Sequence, residues 1–219
     1  MKKYSKNLPL DQFIEFALYD KVDGYYMKKN PFGKEGDFIT APNITRLFSE
    51  IIAIWVVTFW KSLGSPKKFN LLEFGAGNGE MMKVIIETLK NFPECFLNCN
   101  FQIHEKSELL KKKQQLNLKS EKITWIEDVK INNSYPTIFL ANEFFDALPI
   151  KQFFKKKEVW VERFVHFKEK AEFKEQPADI KKIEQNLNFT ISKEQEIIEY
   201  SPGSFEYLKN ICNLIKKND

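Results

Sequence analysis

The sequence predicts an α/β fold in which helices cover a doubly wound, mostly parallel sheet. Short apolar runs typical of buried strands alternate with helical patterns between residues 69 and 142. A glycine-rich turn over 75–79 joins the first of these strands to its helix. Such turns lie at the carboxyl ends of parallel strands, where open sheets bind their ligands. With 219 residues, 43% of them apolar, the chain can build a core for this fold.

The N-terminal third is predicted to be helical, with one ordered loop. Apolar residues at helical spacing indicate a helix over 8–20, and a loop rich in Gly, Pro and Asn follows over 23–43. A second helix is predicted over 44–63, capped at its start by Asn43 and ended by Gly64.

The sheet and its covering helices are predicted after residue 68. The order is strand 69–74, helix 79–91, strand 100–105, helix 107–117, strand 122–126 and strand 136–142. Right-handed crossovers between such strands produce a parallel sheet. The remainder is predicted to contain a hairpin over 151–165, a polar surface excursion over 166–186, one or two short strands within 187–200, and a last helix that begins at Pro202.

The composition argues against several classes of protein. The chain has 34 basic and 30 acidic residues, and the lysine runs at 111–113 and 155–157 lack the Arg clusters and aromatic pattern of a nucleic-acid surface. Nucleic acid is therefore an unlikely partner. The apolar run 51–60 is too short for a membrane span and indicates a buried helix. Three cysteines without metal-ligand spacing predict free thiols and no metal site.

The glycine turn is flanked by two acids, which bear on what it binds. Gly75, Gly77 and Gly79 follow Glu73, and Glu80 opens the next helix. A phosphate at this helix start would be repelled by the Glu80 carboxylate, by about 4 kcal/mol at ~4 Å and an effective dielectric of about 20. A cationic sulfur nucleoside such as S-adenosylmethionine would be attracted instead. A purely structural strand–turn–helix is the alternative.

Glu105 ends the second predicted strand, where an acid commonly hydrogen-bonds a ribose diol. Both dinucleotides and S-adenosylmethionine carry that diol. Glu105 therefore supports a nucleoside site without choosing between them, and the choice depends on the glycine spacing and the two flanking acids.

Three blocks together carry a resemblance to a known family. They are 24-GYYMKKNPFGKEGDFITAPNITRLFSE-50, 72-LEFGAGNGEMM-82 and 142-NEFFDALPIKQF-153. This set resembles the MidA family of S-adenosylmethionine-dependent methyltransferases, which includes a mitochondrial complex I assembly factor that methylates a protein arginine. The resemblance implies a class I, Rossmann-like methyltransferase fold, with an N-terminal helical lid over 1–64. A partial methyltransferase domain follows over 65–219, with a variable insertion at about 151–200.

The turn and the resemblance together give a set of candidate cofactor residues. In the implied site the glycines approach the methionine part, Glu105 takes the ribose, and the loop from Trp125 to Asp128 borders the adenine. Asn142 meets the amino end of the cofactor, and residues of the GDFIT block close over it. The complete set is Asp37, Phe38, Thr40, Glu73, Gly75, Gly77, Gly79, Glu105, Trp125, Asp128 and Asn142.

Glu143 and Asp146 are the candidate catalytic residues. They lie three residues apart, just past the end of the fourth predicted strand. A carboxylate that accepts from two guanidinium nitrogens can fix the plane of an arginine acceptor. The alternative is that both acids cap a turn while Phe144 and Phe145 fill core. The family block favours a functional role for at least one of the acids.

The family pattern continues beyond residue 219, so the resemblance implies a sheet without its last strands. The fourth strand, 137–141, would then be an apolar edge open to a second chain, which predicts a possible homodimer. The predicted function is methylation of an arginine in a protein such as a respiratory complex I subunit, in a bacterial cytoplasm or the mitochondrial matrix. A non-catalytic assembly module with a cofactor pocket and a nucleic-acid methyltransferase are the alternatives.

Overall fold

The structure is a computed structural model that describes residues 7–33, 36–119, 122–127, 135–167 and 170–215. Its helices are α1 (Leu10–Tyr19), α2 (Tyr25–Lys28), α3 (Ala41–Ile44), α4 (Arg46–Ser62), α5 (Glu80–Leu89), α6 (Pro93–Asn98), α7 (Glu108–Asn117), α8 (Ile180–Leu187) and α9 (Pro202–Ile215). Its strands are β1 (Asn7–Pro9), β2 (Phe69–Phe74), β3 (Cys99–His104), β4 (Ile123–Ile126), β5 (Thr137–Leu140), β6 (Lys151–Lys156), β7 (Val159–Phe167), β8 (Ala171–Pro177) and β9 (Ile197–Tyr200).

The described residues fall into two compact units. One combines the residues up to Asp20 with Leu148–Leu208, and the other combines Lys21–Ala147 with the residues from Lys209 onward. These units are groups of residues that pack together, whereas the predicted regions 1–64 and 65–219 were divided by their expected functions as lid and methyltransferase domain. The predicted domain boundaries therefore stay a prediction.

The second unit holds a parallel sheet in the order β4-β3-β2-β5. The four strands are the four that the sequence predicts, and the α/β fold with a parallel sheet is confirmed. All six residues of β2 are buried, as expected for a strand covered on both faces. The apolar faces of α4 and α5 complete the core, with Val56, Trp60 and Ile85 among its most buried members.

A row of polar side chains crosses the amino-terminal end of this sheet. The Asn100 amide donates to Asn70 Oδ1 at 3.1 Å, and the Asn70 amide donates to Thr137 Oγ1 at 3.1 Å. Asn70 is 3% exposed, so water cannot replace these bonds cheaply. The row ties β3, β2 and β5 together in one register.

The start of α4 differs from the prediction. Asn43 lies inside the short helix α3 and does not cap α4. The cap is Thr45, whose Oγ1 accepts from the Leu47 backbone N–H at 3.2 Å. Thr can accept this bond as readily as Asn, so both residues were competent caps and packing decided between them. The predicted end is confirmed, since Gly64 adopts a φ of +81° and its N–H donates to the Lys61 carbonyl.

The first unit is built on an antiparallel sheet. The predicted hairpin is confirmed as β6 and β7, and β9 pairs with β6 while β1 and β8 pair with β7. The stretch predicted as a polar excursion is exposed but regular, because β8 pairs with β7 along its whole length and α8 follows. A separate small core contains Phe153, Trp160, Ile183 and Ile198. Within the part of the chain that is described, no helix has the length and apolar character that crossing a membrane requires.

Candidate functional site

A pocket opens where β2 ends, between the glycine turn and the segment from Phe32 to Asn43. Among the described residues that line it, three are acidic and none is basic. The lining consists of Phe32, Thr40, Pro42, Asn43, Glu73, Gly75, Ala76, Gly77, Asn78, Glu80, Met81, Asn142 and Glu143. Six of the predicted site residues (Thr40, Glu73, Gly75, Gly77, Asn142 and Glu143) therefore lie together.

The glycine turn has little room for side chains. Gly75 has a φ of +61°, and a Cβ built on it would lie 2.8 Å from the Phe144 ring. Gly77 has a φ of +55°, and its Cβ would lie 3.2 Å from the Phe32 ring. Left-handed backbone of this kind favours glycine. Both aromatic rings therefore pack on bare backbone, and the Phe32 ring forms a wall of the pocket.

Glu73 is buried under the turn with unused hydrogen-bonding capacity. The residue is 3% exposed, and its Oε2 has no hydrogen-bond partner. Burial, and then the nearby charge of Glu105, raises the pKa of this carboxyl to about 8. An unpartnered carboxyl oxygen at the wall of a pocket is suited to a cationic or hydrogen-bond-donating ligand.

Glu105 is held in a fixed orientation at the end of β3. Its Oε1 accepts from the Ser107 N–H at 2.9 Å, and its Oε2 accepts from the Gln114 amide at 3.1 Å. Burial raises the pKa of Glu105, although these hydrogen bonds oppose the shift. Each carboxylate oxygen keeps further acceptor capacity, which is what a ribose diol requires.

Gln114 connects the parts of the site, and the sequence analysis missed it. Its side chain is completely buried, and its amide donates to the Gly77 carbonyl at 2.9 Å as well as to Glu105. Its Oε1 accepts from Trp125 Nε1 at 2.8 Å. One side chain therefore fixes the glycine turn, the predicted ribose acid and the predicted adenine wall relative to one another. The apolar spacing of α7 gave no signal for it, since a pair of glutamines after three lysines is typical of a solvated face.

The segment before the pocket is anchored to α7 and packs beside the pocket. The Ser107 hydroxyl donates to the Tyr26 carbonyl at 2.7 Å, which ties α2 to the start of α7. The Tyr26 ring stacks on Phe32 with the centroids 6.1 Å apart. Burial raises the pKa of Tyr26, and the charges of Asp146 and Glu105 raise it further, so this phenol lies within electrostatic reach of both acids.

Six described residues of the predicted set do not line the pocket: Asp37, Phe38, Gly79, Glu105, Trp125 and Asp146. Asp37 accepts from the Tyr25 hydroxyl and from Lys29, and the exposed Phe38 ring packs edge-on against Tyr25. Both residues brace the GDFIT segment in this way. Gly79 has a φ of +83° and packs beneath the turn, against Leu118 and Gln114. Asp128 lies outside the described residues.

The two candidate catalytic acids follow β5 on a short turn. Glu143 has a φ of +48°. Residues other than glycine adopt this backbone conformation when the surrounding structure holds them in it. Asp146 lies in a 3₁₀ turn, Phe145–Ala147, and both acids are exposed. Phe144 packs on Phe74 with the centroids 5.4 Å apart, which anchors the turn between the two acids.

Comparison with known proteins decides the family. The family model described as putative S-adenosyl-L-methionine-dependent methyltransferase matches residues 51–218. The chain belongs to this family. The predicted recognition and the predicted cofactor, which the family's description names, are confirmed on this ground.

Curated relatives of this family member from several animals share the name NDUFAF7. The proteins named protein arginine methyltransferase NDUFAF7, mitochondrial, from Homo sapiens and Bos taurus are each 30% identical over 178 residues, which is 70% of this chain and 40% of theirs. The homologue from Drosophila melanogaster is 31% identical over 167 residues, or 65% of this chain and 38% of its own. The chain therefore spans about two fifths of the length of these relatives.

A solved structure shows the same fold. A likely methyltransferase from Burkholderia thailandensis, bound to S-adenosyl-homocysteine, superposes with a TM-score of 0.79 at 22% identity. The match covers 95% of this chain and 55% of the other. At this identity the likeness supports the fold alone, and it agrees with the parallel sheet described above.

The pocket of this family member fits S-adenosylmethionine on its own geometry. The walls are acidic and lack a basic residue among those described, which suits a sulfonium and an ammonium group. Glu73 offers an unpartnered oxygen, and the bare backbone at Gly75 and Gly77 allows close approach. Glu105 is oriented to accept from a diol. The residues present are therefore those that such a cofactor would need.

Proposed function

We propose that this chain transfers a methyl group from S-adenosylmethionine to an arginine of a protein. The observation that carries the proposal is the acidic pocket, in which Glu143 lies at the wall shared with Glu73 and the glycine turn. The names of the curated relatives, protein arginine methyltransferases, support the choice of acceptor. S-adenosylmethionine supplies a methyl group on a positively charged sulfur, which the acceptor nitrogen displaces.

Each part of the site has a proposed role. Glu73 and Asn142 would hold the amino end of the cofactor, Glu105 its ribose, and Trp125 its adenine. Thr40 lies where a cover would close over the bound molecule. Asp128 is proposed for the adenine side on the resemblance alone.

The acceptor side requires orientation and charge control. A guanidinium has a pKa above 12 and is a poor nucleophile until its charge is localised away from the attacking nitrogen. A carboxylate that accepts hydrogen bonds from the other two nitrogens achieves this, and the paired hydrogen bonds make the contact specific. The proposed carboxylates are Glu143 and Asp146. Glu143 is held by its left-handed backbone, and Asp146 lies on the same turn. Phe144 and Phe145 would exclude water beside them.

The remaining partner predictions are also proposals. A respiratory complex I subunit is the proposed acceptor protein, and a bacterial cytoplasm or the mitochondrial matrix is the proposed location. A homodimer through the strand edge is supported by the position of β5, which pairs only with β2 among the described residues. Within the described residues, the hairpin β6–β7 pairs with β1, β8 and β9.

Neutralising the acceptor acids should strongly slow methyl transfer and preserve cofactor binding. We expect Glu143→Gln and Asp146→Asn each to lower the rate of methyl transfer by about 10²-fold or more, since each removes a charged contact to the reacting group. The measurement is radiolabel transfer from S-adenosylmethionine to lysate protein, with nucleic acid counted separately. Calorimetry with S-adenosylhomocysteine should show affinity within about threefold of the unsubstituted protein.

Glu94→Gln is the matched control, because Glu94 is an exposed acid on α6 that does not line the pocket. Label in nucleic acid alone would contradict the protein acceptor. Cofactor binding without any transfer would favour an assembly module in place of an enzyme.

Cofactor affinity should rise with pH up to about 8. Glu73 is protonated in the ligand-free protein below its raised pKa of about 8, and a cationic ligand favours the ionised form, so binding releases a proton. The affinity should increase by up to about tenfold for each pH unit across this range. Calorimetry in two buffers with different ionisation enthalpies would count the released proton, and Glu73→Gln should remove both effects.

The free energy of unfolding should fall as pH rises toward about 8, whereas the cofactor affinity rises. A carboxyl whose pKa is higher in the folded protein stabilises most below its ordinary value of 4.5, and this contribution is lost as pH rises toward about 8. Urea unfolding at several pH values should show this decline, and the decline should be smaller in Glu73→Gln. A free energy of unfolding that rises with pH across the same range in a Glu73-dependent way would contradict the assignment.

A further inference from the structure

Helix α4 presents an apolar face to solvent that the cofactor pocket does not use. Leu47, Ile51, Ile54, Trp55 and Phe59 are between 39% and 59% exposed and form what we call the α4 face. Together they present roughly 500 Å² of apolar surface, near the upper end for a single patch on a monomer. A large contiguous patch of this kind indicates a binding surface.

The α4 face continues into a groove with a polar rim. Leu47, Ile51 and Ile54 form its floor, while Glu87, Thr88 and Asn91 of α5 form one side. Arg46 lies at the end of the groove, where it pairs with Glu50 at 3.4 Å and with Glu87 at 3.0 Å. An apolar centre with a charged rim is the usual anatomy of a protein interface.

The charges along α4 have an order that suits pairing with itself. Glu50 and Lys61 are eleven residues apart, which at 100° per residue places them within about 20° of the same side of the helix. Both lie along one border of the α4 face, beside Ile54. The amino-terminal end of this border carries a net negative charge, because Glu50 and Glu87 outnumber Arg46. Its carboxyl-terminal end carries the positive charge of Lys61.

We propose that the α4 face binds a second copy of this chain, with the two α4 helices antiparallel about a two-fold axis near Ile54 and Trp55. Such an axis brings the same border of both helices together in opposite directions. Glu50 then meets Lys61 of the partner subunit, and the contact occurs twice by symmetry. A parallel arrangement, with the two-fold axis along the helices, would bring opposite borders together and leave Glu50 and Lys61 without each other as partners.

The shape of the helix agrees with this arrangement. Thr58 and Ser62 lie on the same side as Ile51, toward the carboxyl-terminal end, where small side chains leave room for the large Trp55 ring of the partner subunit. The apolar area is below the ~800 Å² per partner of a standard interface, so the polar rim must contribute. A reversible dimer that depends on concentration is the expected result.

The arrangement is tested by the oligomeric state of the whole chain. Sedimentation equilibrium over a concentration series should show a monomer–dimer equilibrium, and Ile51→Glu should weaken association by at least about 100-fold, since it buries two charges at the centre. Leu97→Glu is the matched control, because Leu97 is 79% exposed on α6 and does not line the groove beside the α4 face. The control should leave association unchanged, and circular dichroism should show both variants folded.

Charge reversal tests the antiparallel direction. Glu50→Lys and Lys61→Glu should each weaken the dimer by about tenfold, and the double variant should recover most of that loss because both cross-chain pairs are restored with reversed sign. A double variant weaker than either single variant would overturn the antiparallel arrangement.

A chain that stays monomeric at all concentrations would overturn the proposal, as would a dimer that Ile51→Glu leaves intact. The second result would point to the edge of β5. Neither outcome bears on cofactor binding, so the methyltransferase proposal stands or fails separately.

Discussion

Gly75→Ala is expected to destabilise the chain by about 2–5 kcal/mol and to weaken binding of S-adenosylhomocysteine by at least about tenfold. Two costs add at this position. An alanine at a φ of +61° loses about 1–2 kcal/mol, and a Cβ at 2.8 Å from the Phe144 ring forces that ring and its turn outward. The Gly75 N–H also donates to the His104 carbonyl at 2.9 Å, so displacement of the turn would disturb the end of β3.

Gly64→Ala separates the two costs. Gly64 has a φ of +81°, and a Cβ there would meet no atom within 4 Å. Urea unfolding should therefore show a loss of about 1–2 kcal/mol for Gly64→Ala, with unchanged cofactor affinity by calorimetry. Equal losses of stability in the two variants, and equal affinities, would show that the contact with Phe144 is unimportant.

Gln114→Leu should have a comparably large effect through hydrogen bonding. The substitution removes the partners of the Gly77 carbonyl, Glu105 Oε2 and Trp125 Nε1, all within the interior of the site. Each unsatisfied buried group costs about 1–3 kcal/mol, so a total loss of about 3 kcal/mol or more in the free energy of unfolding is expected. Chemical denaturation followed by tryptophan fluorescence is the measurement.

The matched control for this prediction is Gln115→Leu, because Gln115 is the exposed neighbour on the same helix. It should change stability by less than about 0.5 kcal/mol. Trp125→Phe removes a single one of the three contacts and should have an intermediate effect. A loss for Gln114→Leu no larger than that for Gln115→Leu would mean that this buried amide does not hold the site together.

The parallel sheet was predictable because its signals are local. The β2 sequence is apolar throughout except for Asn70 and Glu73, and the turn that follows contains three glycines with positive φ. Strand identity and turn position then follow from sequence pattern alone. The acid at Glu105 was predictable for the same reason, since it ends the next strand.

The contacts that organise the site were not predictable in this way. Gln114 is completely buried, yet it lies in a helix whose other residues include three consecutive lysines. Its role depends on contacts with Gly77, Glu105 and Trp125, which lie on other elements, 37, 9 and 11 residues away in the chain. The start of α4 shows the same limit, because both Asn43 and Thr45 can cap a helix and only the packing of α3 selects Thr45.

The row formed by Asn100, Asn70 and Thr137 lies at the end of the sheet opposite the pocket, yet it constrains the chemistry there. A strand that slipped by a single residue would exchange its two faces and carry its terminal side chain out of reach of a ligand. By allowing one alignment of β3 and β5 on β2, the row places Ile103 and Leu140 opposite Glu73, so that Glu105 and Asn142 each follow two residues beyond that level. Hydrogen bonds at the amino-terminal end of the sheet therefore fix the positions of the side chains that line the pocket at its carboxyl end.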